Sequence, residues 1–265
     1  MAGEAVTGRF MLGTATVMVG PMANLQSLGT ANSIGLVKNV TLKSTPKFTE
    51  LSQGVKNSLI ASVMTGNDLA VSGEMFEFTS ANLANAMGLD GSTYTATATT
   101  TTTDGAVSTA TAIIPVASTT GFVVGNWVAI HVNALDQIFI RKILSVEAGI
   151  SLTMTGTFPG NTVALASGAV VELVEMVPAG SKIDQDYLAA KITGQIADNS
   201  WITILLGKVR FTGGLNLAFK TDNFDNMPLG FSVYDLLPSD ANYALFTDAT
   251  TGDVVKAMIF STPAV

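Results

Sequence analysis

The sequence predicts a mainly β protein, and three features carry that prediction. Short apolar and polar alternations recur along the 265 residues, the pattern of strands with one face on a core. Threonine and valine, which favour the pleated backbone, are abundant throughout. Turn signals such as Gly121, Gly125-Asn126, Ala148-Gly149, Pro159-Gly160-Asn161 and Gly168 separate the runs at short spacing. A chain of this length buries about three quarters of its unfolded surface, as one large domain or two small ones.

Taken in order, residues 7–19 alternate in their second half, with Thr14 and Thr16 opposite Ala15, Val17 and Val19. Residues 34–43 put Leu36, Val40 and Leu42 on one face, with Lys38 as the exception. Residues 68–78 put Leu69, Val71 and Met75 on one face and Glu74, Phe76 and Phe78 on the other. Such a mixed second face suits a strand covered on both sides or lying at a subunit contact. Between these strands, 45–66 reads as a long loop. A short helix follows, with Thr79 or Ser80 as N-cap, Leu83, Ala84, Ala86 and Met87 as its apolar stripe and Gly88 as its stop. A helix this short cannot stand alone, so Leu83 and Met87 are expected to pack on a sheet. The threonine tract 92–103 reads as a strand or an extended connection.

Around residue 105 the texture changes. No lysine or arginine occurs between Lys56 and Arg141. Strands are predicted at Ala112–Val116, Trp127–Val132, Gln137–Val146, Ser151–Thr155 and Val170–Val177. Five strands suffice for a small β module. Residues 105–177 are therefore expected to be an inserted domain, with 1–104 and 178–265 forming one discontinuous β domain. Beyond it, strands are predicted at Ala189–Ala197, Trp201–Leu206, Lys208–Phe211 with Leu215–Lys220, Gly230–Tyr234, Tyr243–Thr247 and Val254–Phe260. Asp198-Asn199 and Gly213-Gly214 are hairpin-turn candidates.

Composition narrows function further. Only 12% of residues are charged, against about 25% in an ordinary domain. So apolar an exterior is expected to be covered by other chains. Twenty carboxylates against 13 bases argue against a protein that grips nucleic acid. With no cysteine and one histidine, disulfides, thiolate metal sites and cysteine nucleophiles are excluded, as are multi-histidine metal sites. His131, inside an alternating run, reads as a structural residue, and no G-x-S-x-G, Walker or dinucleotide motif occurs. Asp184-Gln185-Asp186 opens like a calcium loop but lacks its later ligands, and Asp222, Asn223, Asp225 and Asn226 read as an Asx-rich turn, with a cation site at Asp222 and Asp225 left open. The bases Lys38, Lys43, Lys47 and Lys56 have one aromatic nearby, Phe48, and fit a solvated or inter-subunit face. No catalytic constellation, cofactor site or metal site is expected. No run of about 18 apolar residues spans a membrane, and the opening Met-Ala-Gly-Glu carries an acid where a secretion signal carries bases.

The stretch 36–91 carries a family resemblance. Its strand, long loop with Lys47-Phe48-Thr49-Glu50, second strand ending Glu77-Phe78-Thr79, and short helix Ser80-Ala81-Asn82-Leu83-Ala84-Asn85-Ala86-Met87-Gly88 resemble the major tail tube proteins of long-tailed, non-contractile bacteriophages. The match covers about a fifth of the chain. The resemblance implies a β-sandwich or half-barrel with one flanking helix, here with the inserted module on the outer surface. It implies a structural virion protein with no enzymatic activity. Six copies form a ring, rings stack into a tube, and the long loop reaches a neighbouring subunit. Partners implied are the chain itself, a tape-measure protein and terminator or baseplate proteins. DNA passes through the lumen without specific binding, and the protein resides in the virion tail after assembly in the host cytoplasm. The loop contributes Phe48, Leu51, Val55, Leu59, Ile60, Val63 and Met64 as inter-subunit contact candidates, because a solvated loop would not expose so many apolar side chains. A surface adhesin or carbohydrate-binding β-sandwich is the competing reading. It is disfavoured because Trp127 and Trp201 both lie in strand patterns. A capsid or sheath subunit and a hydrolase rank lower.

Overall fold

The computed structural model describes residues 15–53, 58–108, 111–132, 138–157, 165–180, 185–196, 200–217 and 225–261. The chain is mainly β and divides into two compact units, residues 1–94 with 178–265, and residues 95–177. From Thr95 on, the threonine tract, which the sequence places with the first unit, belongs to the second. Thr100–Thr102 (β4) pairs there with Val170–Val174 (β9), and that pairing ties the tract to the insert.

The first unit is built on one antiparallel sheet. Its strands are Ala15–Pro21 (β1), Val37–Gln53 (β2), Ser58–Met75 (β3), Leu188–Gln195 (β10), Trp201–Phe211 (β11), Met227–Val233 (β12) and Ala257–Ser261 (β13). The order is β1-β10-β11-β12-β3-β2, with β13 added on β11. The sheet curls into a half-barrel, because Ser33, just before β2, bridges to Met18 of β1 and Ile34 N–H donates to Val17 O. Its concave face buries Val17, Val19, Val71, Met75, Ile192, Leu206, Leu229 and Phe231 among others. The opposite face of β1, β10, β11 and β13 presents Met18, Ala189, Leu205 and Met258 to a second cluster, closed by Leu25, Leu28 and Phe246. Strands buried on both faces lose their polar alternation, which is why Leu188-Ala189-Ala190 reads as a continuous apolar run.

Two short helices cover this sheet. Ser80–Ala86 (α1) starts where Thr79 Oγ1 accepts from Asn82 N–H at 3.1 Å. It stops at Gly88, where Leu89 N–H returns to Ala84 O and Gly88 N–H to Asn85 O, a Schellman closure that puts Gly88 at φ 78°. Tyr243–Phe246 was expected to be a strand and is instead one helical turn (α2). The reason is anchoring: buried Asn242 donates to Met22 O at 2.7 Å and to Gly207 O at 3.2 Å. The turn it starts drops Phe246 into the second cluster, fully buried.

Leu215–Lys220 was also expected to be a strand; 215–217 are irregular, and 218–220 lie outside the described residues, as do Asp198 and Asn199. Leu36 was expected inward but is exposed, while Val37 takes the core position. A β-bulge resets the phase: Asn39 and Val40 oppose the single residue Gly73, and Asn39 sits at φ 55°. A Cβ at Gly73 would lie 3.1 Å from Lys38 O and 3.3 Å from the Val40 Cα, so glycine admits the bulged backbone.

The second unit has its own core. Ile113–Pro115 (β5), Trp127–His131 (β6), Ile138–Glu147 (β7) and Ser151–Met154 (β8) complete a six-stranded antiparallel sheet, order β4-β9-β6-β7-β8-β5. Its first and last strands meet. Thr103 bridges to Val116, Asp104 N–H donates to Pro115 O, and Ala117 N–H donates to Thr102 O. The sheet is therefore closed on itself around Ile114, Val128, Ile130, Ile143, Leu152 and Val171.

One buried ion pair stands out against the low charge. Lys208 Nζ lies 2.7 Å from Asp240 Oδ2, with side chains 7% and 15% exposed. Burial alone would raise the Asp240 pKa, but the Leu237 N–H and the Lys208 ammonium outweigh it, and the value falls below 3.8. Breaking such a pair leaves a buried charge alone. Asp240→Asn is expected to destabilise the first unit by about 3 kcal/mol. Each unit holds one tryptophan, Trp201 and Trp127, so denaturant unfolding followed by Trp201 fluorescence in a Trp127→Phe background checks this. A carboxylate held below its ordinary value stabilises fully above pH 3.8 and loses that contribution as pH falls below it. The variant should therefore lose less stability than the parent over that acid range.

Separate cores also predict separable folding. Replacing 95–177 by a short Gly/Ser linker should leave the first unit folded, with its Trp201 unfolding transition retained.

Candidate functional site

The feature with no role inside the first unit is the outer half of the β2–β3 pair. These strands run 17 and 18 residues, against about five or six in an ordinary strand. β12 pairs with β3 only from Leu69 to Met75. From Asp68 outward, β3 has β2 as its sole partner among the described residues, giving a two-stranded arm on the order of 30 Å long at about 3.3 Å per residue. The expected loop at 45–66 is thus a correction: its residues are strand on both sides of a tip at 54–57 that lies outside the described residues. The sequence concealed this because two further bulges, with Ile60 and Thr65 as the extra residues, break the period-2 pattern of β3.

Polar contacts hold the arm at its base. Ser44 Oγ donates to Asn67 Oδ1 at 2.8 Å, Thr65 Oγ1 donates to Lys47 O, and Lys47 Nζ lies 2.6 Å from Asp68. The hydrogen bond from Lys47 holds the Asp68 carboxyl below its ordinary range.

Beyond that base the arm is apolar on both faces. Residues paired across an antiparallel ladder share a face. Phe48 pairs with Met64 and Glu50 with Ser62 on one face; Thr49 pairs with Val63 and Leu51 with Ala61 on the other. Phe48, Leu51, Ile60, Val63 and Met64 are each 55–63% exposed. Of the other contact candidates, the backbone of Leu59, in β3, pairs with Ser52 of β2, and Val55 lies outside the described residues. A lone two-stranded ribbon is marginal in water, and an apolar one is an aggregation hazard unless something covers it.

The other sequence candidates fall elsewhere. Leu83 packs against the half-barrel core and Met87, half-buried, is the C-cap of α1. Sequence reasoning passed over the buried asparagines beside them. Asn82 Nδ2 donates to Ile34 O at 3.0 Å and to Glu77 O at 2.8 Å, fixing α1 to the segment that leads into β2. His131 Nε2 lies 2.6 Å from Glu172 Oε1, a cross-strand pair between β6 and β9. Asp186 N–H donates to Gly88 O, while Asp184, Asp222 and Asn223 lie outside the described residues. Among the described residues no cluster of three metal-binding side chains forms, and no helix is long and apolar enough to cross a membrane.

No protein-family model matches this chain, and no curated protein matches it.

The bulge at Asn39, near the start of β2, yields a test. A residue with a branched Cβ at φ 55° is strained by about 1–2 kcal/mol. Asn39→Val should lower stability by that amount, whereas Asn39→Gly should cost a few tenths at most. Denaturation midpoints of the two variants check the order.

Proposed function

We propose that this chain is a structural subunit that assembles with copies of itself, as the tail tube subunit of a long-tailed, non-contractile phage. In this reading hexameric rings stack into a tube that conducts the genome. One observation carries the proposal: an arm of paired strands, apolar on both faces, leaves the sheet with nothing in its own chain to cover it among the described residues. The sparse charge supports the same reading, since surface that becomes interface needs few charges. The excess of carboxylates, 20 against 13 bases, supports a wall past which phosphates slide, because bases would hold them. Tape-measure and terminator or baseplate proteins are the further partners this function requires, and the virion tail is its location.

Sedimentation and negative-stain microscopy of the purified chain test this. Rings or tubes are expected without any added factor; a 27.4 kDa monomer across a wide concentration range would refute the proposal. Phe48→Ser with Leu51→Ser, one substitution on each face of the arm, should leave the circular dichroism unchanged and block assembly. Each apolar anchor is worth on the order of 2 kcal/mol at an interface, so the pair should weaken association by about a thousandfold.

A further inference from the structure

The concave face of the half-barrel is not filled to its end. A cavity of about 320 Å³ remains there, lined by Val40, Leu42, Ile192, Ile202, Ile204 and Ile259, with Ala15, Thr41 and Gly194 at its margin. No charged side chain is among these lining residues. We infer that this cavity is the seat for the arm of a second copy, entered by the face that carries Leu51 and Val63. The inference rests on the self-assembly reading and adds to it the receiving surface and the face that docks.

Three observations favour this occupant. First, the chemistry matches. An aliphatic cavity gains most from aliphatic side chains and penalises an unpaired charge. The Leu51 and Val63 face carries two charges, Lys47 and Asp68, which pair with each other at the base of the arm. The opposite face sets Glu50 beside Phe48 and Met64, so it stays outside. Second, the arm cannot fill the cavity of its own chain. Leu42 lines the cavity and Leu51 lies nine residues further along a continuously paired strand, roughly 30 Å away at about 3.3 Å per residue. Third, the size fits. On the docking face Leu51 and Val63 are 62% and 63% exposed, two aliphatic side chains that a cavity of about 320 Å³ can admit. An arm from one copy seated in the cavity of the next is a heterologous contact, which closes into rings or propagates as a filament.

The absence of cysteine makes crosslinking selective. Ile259→Cys, in the cavity lining, and Val63→Cys, on the arm, are placed in separately tagged chains and treated with a short bis-maleimide. The mixture should give a crosslinked species carrying both tags, at least tenfold above either variant alone. Gly194→Leu, which extends a side chain into the cavity, should abolish that crosslink and assembly together while the isolated chain keeps its unfolding midpoint. Polymers that form normally without the crosslink, or that tolerate Gly194→Leu, overturn this inference and leave self-assembly standing. A wild-type chain that never associates overturns both. If the thiol of the dilute Ile259→Cys monomer reacts with maleimide only after residues 1–14 are removed, the chain's own N-terminal segment fills the cavity and the inference is overturned.

Discussion

An extended backbone can satisfy its N–H and C=O groups only sideways, against another strand, and the two units of this chain answer that demand differently. In the second unit β4 and β5 meet through the Thr103 bridge to Val116, so the sheet has no long free edge. In the first unit β2 cannot close the circle. Among the described residues only its approach, at Ser33 and Ile34, hydrogen-bonds to β1; from Val37 onward β2 is paired with β3. The half-barrel, the open cavity at its end and the projecting arm all follow from that one pairing. The Asn39 bulge against Gly73 sets which residues of β2 turn inward.

Much of this was legible in the sequence. The mainly β class followed from alternation, and α1 from its cap and stop residues, because both signals are local. Val71 and Met75 were read onto the buried face correctly, since β3 is regular there. What was missed involved either a break in period or a distant partner. Leu36 was assigned the place of Val37 because a bulge shifts the phase by one residue and leaves no mark in composition beyond Asn39 and Gly73. The arm looked like a loop because Ile60 and Thr65 interrupt its alternation. α2 looked like a strand because the groups that fix its turn, Met22 O and Gly207 O, are far away in sequence. The apolar content of 45–66 was visible; that it sits on paired strands was not.

Charge is scarce here, and the structure uses it sparingly in the interior. Lys208 is paired with Asp240 and lies 4.5 Å above the Tyr187 ring, so its ammonium is met on two sides. Asn82 and Asn242 do similar work without charge. Each spends a side-chain amide on two backbone carbonyls, and each fixes a helical turn to the sheet it covers. Short helices of this kind owe their stability to such anchors and to burial, not to intrinsic propensity.

The two bulges within the arm, at Ile60 and Thr65, have a consequence for what can stack on it. Each extra residue adds right-handed twist to the ribbon. Flat apolar strands invite copies of themselves to pile up in register, the geometry of amyloid cross-β fibrils. A coiled ribbon cannot tile that way, because successive layers would diverge by the accumulated rotation. The arm can therefore stay sticky toward a surface of matching curvature while resisting growth into a fibre. Straightening it, by restoring regular pairing at Ile60 and Thr65, would remove that safeguard against fibre growth.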